Sequence, residues 1–174
     1  MNDDLKYIHN VRSFIDSLPS ETRLKPPKVP PEEAYTDDIL PFDIYKGTRQ
    51  NIEKIADQIN KSFHYGIYDG TAVLMRRLVE MLLILAFKEI GQEDSIRGSD
   101  GNYLQLSQII NQAIPNKTLD LTRNAKGYLG LFKEHGDLSA HNPFYNCTRK
   151  DLQNVQHQYR ALVEELFYKA GIIK

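Results

Sequence analysis

Residues 133–142 read KEHGDLSAHN, and Lys133, Glu134, His135, Asp137 and His141 all fall within these ten positions. An imidazole moves protons near neutral pH, an ammonium attracts phosphate, and a carboxylate can orient either of them. Lys133, Asp137 and His141 are spaced four apart. On a continuous helix that spacing puts them on one face, with Asp137 in reach of both neighbours. The residue before a proline disfavours the α conformation, so Asn142-Pro143 closes the element and leaves His141 near a helix C-terminus. The helix dipole favours positive charge there. These groups suit a phosphate-facing site. Two other readings stay open: an ion network spaced i,i+4 on a solvated face, and a metal site of His135, Asp137 and His141. The metal reading is the weaker, because at about 100° per residue His135 lies roughly 160° around the helix from Asp137 and about 120° from His141. No metal or cofactor is assigned. The sequence has no phosphate loop, dinucleotide fingerprint, HExxH or paired-cysteine spacing.

The element that carries these residues begins near 118. Ala125, Tyr128, Leu129 and Phe132 form an apolar stripe that helical steps extend to Gly136 and Ala140. Both are small, so a second helix is expected to approach closely at Gly136 and Ala140, beside the polar face. Ser139, Asn142 and His135 are further candidate binding groups. Arg123, Lys126 and Lys133 put positive charge along the same helix, either as a phosphate track or as a solvated basic face. Upstream, the run LVEMLLILAF is apolar on almost every side, which predicts a central helix from Asp69 or Thr71 to Ile90 surrounded by neighbours. Arg76 and Glu80, four apart on it, are expected to form an internal ion pair that fixes the helix, with a ligand role as the alternative.

The remaining periodic segments are helical too. Residues 4–18 form an N-terminal helix stopped by Pro19, and six prolines over 19–41 mark a linker or wrapped arm. A helix is predicted from Asp43 to about Tyr65, and a short one from Tyr103, capped by Asn102, to Ile114. The last long helix follows a capping box at Thr148 to Asp151 and ends near Gly171, with Tyr159 and Tyr168 as core-edge aromatics. No strand pattern is present. The predicted fold is an all-α bundle of four longer helices with one or two short ones over 42–174, preceded by the N-terminal helix and Pro-rich arm.

With 174 residues and 41% apolar composition, the chain suits one domain with a real core. The net charge of −1 supplies no global field to draw in nucleic acid, so any such binding needs a local patch. The single cysteine, Cys147, suits a reducing cytoplasm and is expected to be an ordinary thiol. The N-terminus does not read as a secretory signal, and the apolar run at 78–87 is half a membrane span, so no membrane partner is expected.

The run Lys133-x-x-Gly136-Asp137-x-Ser139-Ala140-His141-Asn142 resembles the Arg-x-x-Gly-Asn-x-x-Ala-His signature of HEPN-like (higher eukaryotes and prokaryotes nucleotide-binding) domains. It is most similar to bacterial members of unknown function. The likeness covers about 45–170, including RRLVEMLLILAF and the final helix with RALVEELFYKAG. The resemblance implies a helical bundle that pairs as a two-fold homodimer, a nucleotide, RNA or protein partner, and a bacterial defence or stress setting. In nuclease members an Arg and a His, with four to six residues between them, cleave RNA at the dimer groove without metal. Counting back from His141, those positions hold Gly136, His135 and Glu134; Lys133 fits a longer-spaced variant. A guanidinium clasps phosphate with a planar fork, whereas lysine offers a point charge. The expectation is therefore a non-catalytic or weakly catalytic binding and dimerisation module. Its alternatives are an endoribonuclease using His141 with Lys133 and Asp137, and a purely structural helical domain.

Overall fold

A computed structural model describes residues 37–173, and Ser13 and Ser17 before them. The chain divides into Met1–Thr36 and Asp37–Lys174. Ser13 and Ser17 are helical; the rest of the expected N-terminal helix and most of the arm lie outside the described residues. The second unit is an all-α bundle. Its helices are α1 (Phe42–Tyr45), α2 (Gln50–His64), α3 (Tyr68–Glu89), α4 (Leu106–Ala113), α5 (Arg123–His141) and α6 (Arg149–Lys169), with a 3₁₀ turn at Glu93–Ile96. The four longer helices are α2, α3, α5 and α6. Among the described residues the only extended pairing is an isolated bridge between Arg97 and Tyr103.

Helix ends depart from expectation where local hydrogen bonding competes. The segment 43–65 is two helices, because Gly47 between them takes a φ of +78°, which side-chain-bearing residues rarely adopt. Asp69 does not cap α3; its Oδ1 accepts the Cys147 N–H at 3.0 Å, and the Thr71 hydroxyl donates back to the Ile67 carbonyl. Asn102 does not cap α4 either. Its amide nitrogens donate to Asp100 in the preceding turn, and α4 starts at Leu106, three residues later than expected, with Gln108 Oε1 accepting from the Gln105 N–H. The α5 helix begins at Arg123 behind Thr122, whose hydroxyl accepts from Ala125 N–H at 3.2 Å. Thr148 and Asp151 form the expected box: the Thr148 hydroxyl accepts from Asp151 N–H, and the Asp151 carboxylate accepts from Thr148 N–H.

The central helix α3 touches α2, α4, α5 and α6. Met75, Leu78, Val79, Leu82, Leu83, Ala86 and Phe87 are buried along it, each large side chain giving about 1.5–3 kcal/mol of burial. Tyr159 is fully buried rather than at the core edge: its hydroxyl donates to the Met75 carbonyl at 3.1 Å, and its ring meets Phe132 edge-on at 4.9 Å. That one side chain joins α3, α5 and α6. Tyr168, by contrast, is exposed. Nor is α3 covered all round; Leu74, Met81, Ile84 and Leu85 are only half-buried on its outer side. No helix among the described residues is long and apolar enough to cross a membrane.

Residues 37–40, expected to belong to the arm, are instead pinned to the bundle. Asn60 on α2 is buried, accepting from Leu40 N–H at 3.0 Å and donating to the Leu40 carbonyl at 2.8 Å. From α6, Gln156 Nε2 donates to the Asp38 carbonyl at 2.6 Å and Arg160 Nε to the Ile39 carbonyl at 2.9 Å. His64 meets the Asp38 carboxylate at 2.6 Å. Side chains thus satisfy a backbone that has no helix of its own to do so.

Candidate functional site

The α3 and α5 helices press together at Gly136. A Cβ at this position would lie 2.5 Å from Arg76 Cβ and 2.6 Å from Arg76 Cδ, so only glycine lets the arginine stem pass. The stem carries the guanidinium to Asp137, one residue on, where Nε lies 2.8 Å from Oδ1. Its N–H is not aimed at that oxygen, which makes the contact an ion pair more than a hydrogen bond. On the other side of the carboxylate, Lys133 Nζ donates to Oδ2 at 2.5 Å. Arg76 also approaches Glu80, with Nη1 3.9 Å from Oε2. Burial pushes the Asp137 carboxyl up, but the Lys133 hydrogen bond and the Arg76 charge outweigh it, holding the group below its ordinary range. Asp137 is therefore an anion whose two oxygens are each occupied by a cation.

This triad forms part of the wall of an open groove of about 1100 Å³. The α5 helix lines it with Gly130, Lys133, Glu134, Asp137, Leu138 and His141. Arg76 and Glu80 come from α3, Gln105, Leu106 and Ser107 from the start of α4, and Asn142 and Pro143 from the turn after α5. His141, the last residue of α5, is exposed, and its side chain has no hydrogen bond or ion pair among the described residues. Leaving the imidazole aside, the lining holds two cations, Arg76 and Lys133, against three carboxylates, Glu80, Glu134 and Asp137. Such a surface offers both charge signs at close range. It is not the uniformly basic track that a long polyanion would favour.

Several expectations are corrected here. Asp137 does not bridge Lys133 and His141; Arg76 takes the place expected of the imidazole. The Arg76–Glu80 pair is not internal, since both side chains are about 30% exposed at the groove. Ala140 is exposed, so of the two small residues only Gly136 lies at a close helix contact. His135 and Ser139 do not line the groove. They project from another side of α5, where His135 Nδ1 is buried without a hydrogen-bond partner and Ser139 Oγ lies beside the Cys147 thiol. Arg123 and Lys126 are on the helix but not in the groove, about 27 Å and 22 Å along the axis from His141 at 1.5 Å per residue. No three His, Cys, Asp or Glu side chains gather to hold a metal ion among the described residues. Cys147 is buried, and burial pushes its thiol up, as for an inert core thiol.

Sequence reasoning missed the partnership of Arg76 with Asp137, which are far apart in the chain. The only signal was Gly136, whose missing side chain marked a close approach without naming the partner. It also missed Gln105, Ser107 and Glu134 as groove residues. The chain matches no family model, no curated protein and no solved structure.

Proposed function

We propose that the groove is a non-catalytic binding site for a nucleotide or a short single-stranded RNA segment, on a HEPN-like module. The observation that carries this is the opening of Lys133 and His141 from α5 onto one groove of about 1100 Å³, with the Arg76 guanidinium beside them. The guanidinium that the 133–141 run lacks comes from α3 rather than from the run itself. The mixed lining suits a nucleotide. Phosphate meets the cationic edge, while Glu80 and Glu134 can accept from ribose hydroxyls or exocyclic amines. The binding reading is favoured over cleavage because both fixed cations are already paired with Asp137. His141 also lacks a partner that would set its tautomer and aim it at a reacting oxygen.

The direct test is fluorescence anisotropy of a labelled short RNA in EDTA, with adenosine monophosphate as competitor. Wild type should bind, leave the RNA intact, and lose roughly tenfold in affinity in the Lys133→Ala/His141→Ala double variant, the equivalent of about 1.4 kcal/mol. Binding that ignores both substitutions would overturn the site. RNA cleavage that persists in EDTA and vanishes in His141→Ala would replace binding with the nuclease reading.

The proposal includes a homodimer. The half-buried Leu74, Met81, Ile84 and Leu85 on the outer side of α3 support it, since a second copy would cover them. Sedimentation should then give a dimer that Met81→Glu/Ile84→Glu splits. A second reading, in which the charged triad is only a helix clamp, draws on the saturation of Asp137 by Arg76 and Lys133. It predicts that their substitution changes stability and no binding.

A further inference from the structure

Phe144 stands out among the exposed aromatic residues. Its exposure is 94%, against 54% for Phe42, which packs edge-on against Tyr45 and lies under the Lys46 ammonium. The Phe144 ring has no aromatic or cationic contact among the described residues. It follows Asn142 and Pro143, the two residues that form the groove's rim after His141. The turn is held: Asn142 Oδ1 accepts from Phe144 N–H at 3.0 Å, and the Asn142 carbonyl accepts from Tyr145 N–H at 3.3 Å. Pro143 fixes one backbone angle of the same turn. A bare phenyl ring on a held turn is thus open to water, one residue beyond the lining of a groove that carries a lysine, an arginine and a histidine.

Ring-plus-cation surfaces of this kind hold unpaired nucleotides, with phosphate on the charges and a base face on the ring. We infer that Phe144 is a base-stacking subsite: an unpaired nucleobase lies on its ring while the adjoining phosphate occupies the Lys133–His141 edge. This rests on the nucleotide reading of the groove and adds to it a residue that selects unstacked bases over paired ones. A paired base keeps its faces buried in its own helix and cannot reach the ring.

The chain has no tryptophan, so Phe144→Trp places a single indole reporter at the subsite. In this variant a short oligoadenylate should quench indole emission on titration, and inorganic phosphate should not. In a label-free calorimetric titration, Phe144→Ala should weaken the oligoadenylate about ten- to a hundredfold while leaving inorganic phosphate binding unchanged. Phe144→Leu keeps apolar bulk without the aromatic face and should weaken the oligoadenylate as well. If wild type and Phe144→Ala bind the oligoadenylate equally and the indole is not quenched, while Lys133→Ala still weakens binding, the subsite is overturned and the groove reading stands. If the wild-type protein binds neither probe, both fall.

Discussion

Two polar constructions hold this bundle, and they finish differently. At the 37–40 segment, Asn60, Gln156 and Arg160 turn toward backbone, and the Leu40 amide and carbonyl are both satisfied inside. At the α3–α5 crossing, Arg76, Lys133 and Asp137 also pair, yet their side chains remain about 30% exposed on a groove that His141 enters without a partner. The first arrangement directs its side-chain donors and acceptors mainly to the chain's own backbone. The second has capacity facing water, as a binding surface requires. Polar residues in a helical bundle therefore separate by what their unused atoms face, more than by how tightly they pair.

The contrast can be broken at either end. Asn60→Ala should cost most, about 3 kcal/mol, because it leaves a buried N–H and a buried carbonyl at Leu40 without partners. Denaturant unfolding measures this, and a loss below about 1 kcal/mol would mean that water replaces the amide freely. Next is Gly136→Val, which should cost about 2 kcal/mol by forcing Arg76 off its path. On the same helix, a methyl group added at Gly127 would meet nothing within 4 Å, so Gly127→Ala should gain about 0.5–1 kcal/mol. Opposite signs at these two glycines of one helix would localise the crossing to 136.

Asp137→Asn should cost about 1 kcal/mol at neutral pH, the usual range for a half-exposed ion network. The folded carboxyl lies below its ordinary value of 3.8, so its contribution is present above that value and is lost as pH falls through the folded value. Stability curves of wild type and variant should therefore run apart near neutrality and converge as the pH falls below the ordinary carboxyl value. Parallel curves would deny the pairing. Smallest of all, His141→Ala should change stability by less than about 0.5 kcal/mol, because the ring is exposed and unpartnered.

The four longer helices and their order were legible because apolar spacing reports burial directly: Ile52, Ile55, Ala56, Ile59 and Phe63 all fall inside α2 and are buried. Glycine at 136 was legible as a contact point for the same reason. Caps were less so, since Asp69 and Asn102 have the right side chains but give them to Cys147 and Asp100 instead. Within the groove, the α5 residues could be grouped by their four-residue spacing. Arg76 could not be added, because periodicity orders residues within one helix and is silent on which residue of another helix lies across from them. The same limit hid Asn60, whose partners lie twenty positions earlier in the chain.

Backbone amide chemical shifts, followed while adenosine monophosphate is titrated into the uniformly ¹⁵N-labelled protein, test the central claim most directly. A nucleotide site in the groove predicts saturable changes grouped at 76–80, 105–107 and 130–144, with α2 and the 37–40 segment silent. Changes scattered evenly over the bundle, or none at millimolar nucleotide (about −4 kcal/mol of binding free energy), would contradict it.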